Sequence, residues 1–190
     1  MNVFRKPLIA SAALFLFGAL AATPPVLAGD SSCLKAAHSN DGAKSYRAVM
    51  TSTRGGRSIV ETIDIVKPDR MDESGPGHEM VAIGHSAWMR EGSGPWKKLP
   101  GMDVGDLLST ASTTKFESNS VSCVDNGMGL WHGQPAHMFT GTNNSPHGLV
   151  RSKLYLMGDG YIHHLETSTS SGGIQMDFSE FNSASVSAPS

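Results

Sequence analysis

The chain has 190 residues with fifteen Lys and Arg against seventeen Asp and Glu, a formal net charge of −2. Charges of both signs are scattered and no basic run occurs, so nucleic-acid binding has no electrostatic footprint. Gly, Ser and Thr are abundant and large aliphatics modest, which predicts a thin core for the length and suits a curved sheet better than a tightly filled sandwich.

Residues 1–28 read as a cleaved signal peptide. Arg5 and Lys6 form a short positive region, Leu8 to Leu20 is apolar, Thr23-Pro24-Pro25 breaks the helix, and Ala28 supplies the small residue at the cleavage site. The apolar run is too short and wrongly flanked to span a membrane. Leu27-Ala28-Gly29 is followed by Asp30 where a lipobox needs cysteine, so the expected product is a soluble periplasmic or secreted protein without a lipid anchor. Its single domain is expected over 29–182, with a loose tail over 183–190. Removal of Arg5 and Lys6 leaves thirteen basic against seventeen acidic residues, a mildly acidic chain.

The mature chain has two cysteines, Cys33 and Cys123. In an oxidising compartment an even count reads as one disulfide, here tying the N-terminus to the middle of the chain; the wide separation argues against a CxxC-type redox centre.

In chain order, Asp30 to Ser39 reads as a short capped helix ended by Asn40-Asp41-Gly42. Lys44 to Arg54 alternates as a strand, and Gly55-Gly56 turns it into a second strand, Ile59 to Val66. In that strand Ile59, Ile63 and Ile65 share a face with Glu61, while Val60 and Val66 share the other with Thr62 and Asp64. Apolar residues on both sides imply that both are partly covered, by a helix or a bound apolar molecule. Lys67-Pro68-Asp69-Arg70 is a turn, and Pro68 and Pro76 exclude central-strand positions. Met80 to Ile83 and Gly84 to Arg90 are strand-like, followed by Gly92-Ser93-Gly94-Pro95-Trp96.

Met102 to Ser112 is the mid-chain helix candidate, with Val104, Leu107 and Leu108 at i, i+3, i+4. Strands are then predicted at Ser118–Val124, Leu130–Gly141, Leu149–Met157, Tyr161–Ser168 and Ile174–Phe181, with turns at Asp125-Asn126-Gly127 and Gly158-Asp159-Gly160.

Catalytic motifs are absent. Ser86 in Gly84-His85-Ser86-Ala87 lacks the second glycine and following helix of a nucleophile elbow, no carboxylates stand paired, and no glycine-rich loop opens a helix. Eight histidines are the compositional oddity. The adjacent His163 and His164 point to opposite faces of a strand, as do His132 and His137, so the expectation is no metal and no cofactor. Nine methionines after Met1 are spread about one per element, a pliable apolar wall serving as core or ligand pocket.

The order of pieces resembles the outer-membrane lipoprotein carrier (LolA-like) superfamily and related lipid-binding lipoproteins. A short helix leads to Tyr46-Arg47. Ile65-Val66-Lys67-Pro68-Asp69-Arg70-Met71 and Ile83-Gly84 before Trp88 follow, then a helix after Trp96, Gly133-Gln134-Pro135-Ala136, and Gly158-Asp159-Gly160-Tyr161. The last piece ends Asp177-Phe178-Ser179-Glu180-Phe181-Asn182. The resemblance implies a mainly β, α+β fold: a strongly curved antiparallel sheet forming an unclosed barrel with helices in its concave side. It also implies binding of acyl chains without catalysis. The carrier pattern has an arginine before its strand-turn proline, where this chain has Lys67. The residues expected to line the cavity and its lid are Met80, Ile83, Trp88, Trp96, Leu107, Leu108 and Leu154, with Lys67 and Arg70 at the rim. The expected partner is a lipid, lipoprotein acyl chain or other hydrophobic ligand. An envelope protein bound by the same scaffold is the alternative, and an envelope hydrolase the third.

Overall fold

The computed structural model describes residues 31–101, 104, 122–145 and 148–189. The expected signal peptide, most of the expected Met102–Ser112 helix, including Leu107 and Leu108, and Ser118 to Val121 lie outside the described residues.

The chain makes two antiparallel meanders. The first runs β1 (Ser45–Arg54), β2 (Arg57–Val66), β3 (Arg70–Gly75), β4 (His78–Ile83), β5 (Ser86–Glu91) and β6 (Lys97–Leu99). The second runs β7 (Ser122–Trp131), β8 (Gln134–Ser145), β9 (Gly148–Met157), β10 (Ile162–Thr169) and β11 (Gly172–Ser179). Pairing of β1 with β11, from Arg47↔Ser179 to Arg54↔Gly172, joins them into one sheet ordered β6-β5-β4-β3-β2-β1-β11-β10-β9-β8-β7. The edges β6 and β7 do not pair with each other, so the curved sheet is an unclosed barrel. The seam runs close at its end. A side chain at Gly172 would put its Cβ 2.1 Å from the Thr53 carbonyl oxygen.

Two short helical pieces precede the sheet: α1 (Ser31–Ala37) and a 3-10 turn at Ser39–Gly42. No helix among the described residues is long and apolar enough to cross a membrane.

Turn chemistry sets the register. Gly55 and Gly56 take φ of 57° and 76°, the left-handed pair that a two-residue hairpin requires. The expected turn at Asp125-Asn126-Gly127 is instead a bulge inside β7, where the register shifts between Asp125 and Met128. The reversal comes at His132 (φ 48°) and Gly133 (φ 77°), inside the stretch expected to be one strand. No strand is expected from the sequence between Pro68 and Pro76. Both prolines stay in turns, and Arg70–Gly75 between them pairs with β2 and β4.

Strand alternation divides the sheet into a helix-bearing face and an opposite face. The disulfide between Cys33 and Cys123 fixes α1 to β7. Cys33 and Ala36 pack with Phe139, flanked by Cys123, Leu154 and Leu156. A second buried cluster joins Ala82, Ala87 and Val104 with Met71 and Leu99. Val104 has helical backbone, and its N–H donates to the Gly84 carbonyl at 3.1 Å. At the C-terminus the Asn182 N–H donates to the Ser45 carbonyl at 2.8 Å, and Ala184 and Val186 beyond it are buried.

Candidate ligand-binding face

Three cross-strand rows build the helix-bearing face. One runs Phe139, Leu154, Leu165, Met176, Met50 and Glu61 across β8, β9, β10, β11, β1 and β2. The next runs Phe178, Ala48, Ile63, Glu73, Met80, Met89 and Lys97. The third runs Tyr46, Ile65, Met71, Ala82, Ala87 and Leu99. Met50, Met71, Met80, Met89, Met128 and Met176 all project from this face, whereas Met138 and Met157 project from the other. The two buried clusters sit toward opposite ends of it. Between them Ile63, Met80, Met89, Leu165, Ile174 and Met176 are only half-buried.

The register separates the residues expected to line one cavity. Met80 and Leu154 lie on the helix-bearing face. Trp88 pairs with Val81 and Lys98, and Ile83 with Arg70 and Ser86, so both lie on the opposite face. Trp96 carries the Arg90 guanidinium 4.7 Å over its ring, and Arg90 projects from that opposite face, bonded to Glu79 at 2.8 Å through Nε.

The rim residues also differ from each other. Lys67 Nζ donates to the carbonyls of Asn40 (3.1 Å) and Asp41 (2.8 Å), holding the 3-10 turn against the β2–β3 connection. Burial pulls its pKa below the usual lysine range, against the field of Asp41. Arg70 is exposed at the start of β3.

The opposite face is polar across β1 and β8 to β11. A groove of about 490 Å³ crosses β1, β11, β10, β9 and β8, lined by Thr51, Thr140, Arg151, Lys153, Glu166 and Gln175 among others. Beside it the buried His164 bonds Asp177 through Nδ1 and Glu166 through Nε2 at 3.1 Å, with the Trp131 ring stacked 5.5 Å away. His38, His137 and His163 each bond an aspartate as well.

A group that the sequence reading did not assemble lies on the helix-bearing face. Glu61 and Glu73 are 3% and 5% exposed, and His78 Nε2 stands 3.3 Å from Glu73 Oε1. Glu61 was legible as a lone acid on an isoleucine face. Glu73 was not, because its strand went unassigned and its facing could not be read. Burial, and next the charge of Glu73, holds the Glu61 carboxyl above its ordinary 4.5, with His78 pulling the other way.

The folded chain therefore keeps the Glu61 proton at pH values where the unfolded chain has lost it. This contribution to stability is full below about pH 4.5 and is lost as pH rises through the raised folded value. Glu61→Gln is expected to match the parent near pH 4 and to exceed it in stability at pH 7.5. Urea unfolding at the two pH values in EDTA checks this. A loss of stability at both would contradict it.

No protein-family model matches the sequence, and comparison with curated proteins finds no match. Solved structures do match. Lipoprotein LppX of Mycobacterium tuberculosis aligns with a TM-score of 0.58 at 15% identity, over 80% of this chain and 93% of that one. LprF from Mycobacterium bovis aligns with a TM-score of 0.58 at 11% identity, over 83% and 94%. At such identities the likeness is one of fold, and the chain shares the fold of LppX and LprF.

Proposed function

We propose that this chain is an exported, non-enzymatic binding or carrier protein that holds a lipid acyl chain or similar hydrophobic ligand on the helix-bearing face of its sheet. The observation that carries the reading is the half-buried apolar strip between the two buried clusters, walled by Met80, Met89, Leu165 and Met176. Flexible, polarizable thioethers accommodate chains of varied shape. Each methylene moved from water onto such a wall is worth about 0.8 kcal/mol. The LolA-like fold and the Cys33–Cys123 disulfide, the latter at home in an oxidising compartment, support export with residues 1–28 removed.

Displacement of a fluorescent fatty acid from the delipidated protein tests the reading. Binding is expected, and Met176→Asp, placing a charge mid-strip, is expected to weaken it at least tenfold. Absence of binding by the parent would refute the proposal.

One observation favours the alternative of a protein partner. The edge strand β7 exposes Val124, Met128 and Leu130 at 55%, 69% and 69%, and an open edge with apolar side chains can accept an added strand. Recovery of one stoichiometric protein partner with no bound lipid would select it.

A further inference from the structure

Glu61, Glu73 and His78 stand at the β2–β4 side of the apolar strip, beyond Met50 and beside Met80. Each can offer one donor atom, and the three donors lie within 4.8 Å of one another. We infer that they form a divalent transition-metal site, with Zn²⁺ the best-fitting ion.

Hydrogen bonding alone leaves this group unsettled. The His78–Glu73 bond occupies one carboxylate oxygen, while Glu61 Oε2 is buried with no hydrogen-bond partner among the described residues. Two buried carboxylates side by side repel, and an unpaired one bears its full desolvation cost. A dication balances both charges and supplies the partner that Glu61 lacks.

The local backbone is shaped to let the three side chains meet. A Cβ at Gly75 would lie 2.6 Å from His78 Cε1 and 3.1 Å from Glu61 Cγ. Any side chain there would push the imidazole and Glu61 apart. The β3 turn at Pro76-Gly77 returns His78 opposite Gly75, which places the ring over that bare backbone. His78, at 32% side-chain exposure, gives an ion a path from solvent to the two buried acids.

The donor set selects the ion. One imidazole nitrogen and two carboxylate oxygens suit Zn²⁺, bound at about 2.0–2.2 Å, so that neighbouring donors in a tetrahedron stand roughly 3.3–3.5 Å apart. The His78 Nε2 to Glu73 Oε1 separation of 3.3 Å is already that edge. Mg²⁺ and Ca²⁺ prefer all-oxygen cages, and cuprous ion prefers sulfur. Zn²⁺ binds such donors more tightly than Mn²⁺ or Fe²⁺, and a square-planar Cu²⁺ or Ni²⁺ site would bring neighbouring donors to about 2.8 Å, closer than the tetrahedral edge. Three protein donors leave a fourth position for water. The inference does not depend on an acyl ligand.

The test is titration of the tag-free, EDTA-stripped chain with Zn²⁺ by calorimetry and with Co²⁺ by visible absorption. One ion per chain is expected, with the intense absorption of tetrahedral Co²⁺. Glu61→Gln and His78→Ala are each expected to weaken binding at least tenfold. Gly75→Ala, which keeps all three donors but displaces the ring, is expected to weaken it too. His137→Ala and His163→Ala, at other histidine–carboxylate pairs, should leave it unchanged. Circular dichroism confirms folding of each variant, and His78→Ala carries the test should Glu61→Gln not fold. No stoichiometric binding, binding that survives His78→Ala, or binding lost instead in His137→Ala or His163→Ala would overturn the assignment.

Discussion

Replacing Cys33 and Cys123 with serine is expected to lower unfolding stability by roughly 2–5 kcal/mol. The bond closes a loop with a sequence separation of 90, and chain entropy alone assigns such a loop roughly 4–5 kcal/mol. What it holds is also short of support. α1 has seven residues, fewer than an isolated helix needs, so its order comes from docking. Cys33 at 3% and Ala36 at 3% exposure make that docking surface against β8. Urea unfolding of the double serine variant, and of the parent with and without reductant, measures the loss. An unchanged midpoint in both would show that the cross-link contributes nothing to stability.

Phe139→Ala is expected to cost about 3–5 kcal/mol, the range for removing a buried aromatic ring. The ring is 3% exposed, lies 4.6 Å from the stacked His137 ring, and forms the floor on which Cys33 and Ala36 sit. Leu154 and Leu156 also pack on the ring, and the disulfide tethers α1 above it, which limits how far the helix can settle into the space. Because this change and the serine pair remove the same docking, their costs should not add. A shortfall of about 0.5–3 kcal/mol in the triple variant is expected. Simple additivity would mean that α1 and Phe139 stabilise the sheet independently.

How much of this was legible follows from which signals are local. The glycine pair at 55–56, the alternation of β1 and β2 and the Gly158–Gly160 turn depend on a few neighbouring residues, and strands and reversal fall where the sequence places them. The Asp-Asn-Gly at 125–127 is equally strong as a turn signal, but cross-strand pairing with β8 absorbed it as a bulge. Arg70–Gly75 carries three charged side chains and no aliphatic run, so only its partners β2 and β4 make it a strand.

Facing was harder still. Trp88 has Ser86 and Arg90 at its i±2 positions, a local hint that it shares a polar face. Its hydrophobicity points the other way, and register with Val81 decides the matter. The Glu61–Glu73–His78 group and the polar groove are assembled from three and five strands respectively, and only the strand register shows which of their residues share a face.

Native mass spectrometry of the exported protein shows directly whether the half-buried methionine and leucine strip holds an apolar guest. The expected spectrum has a mass shift above the polypeptide matching a lipid or other apolar molecule, released on delipidation and diminished in Met176→Asp. A spectrum of bare polypeptide, with no shift on adding fatty acid to the delipidated protein, would contradict it.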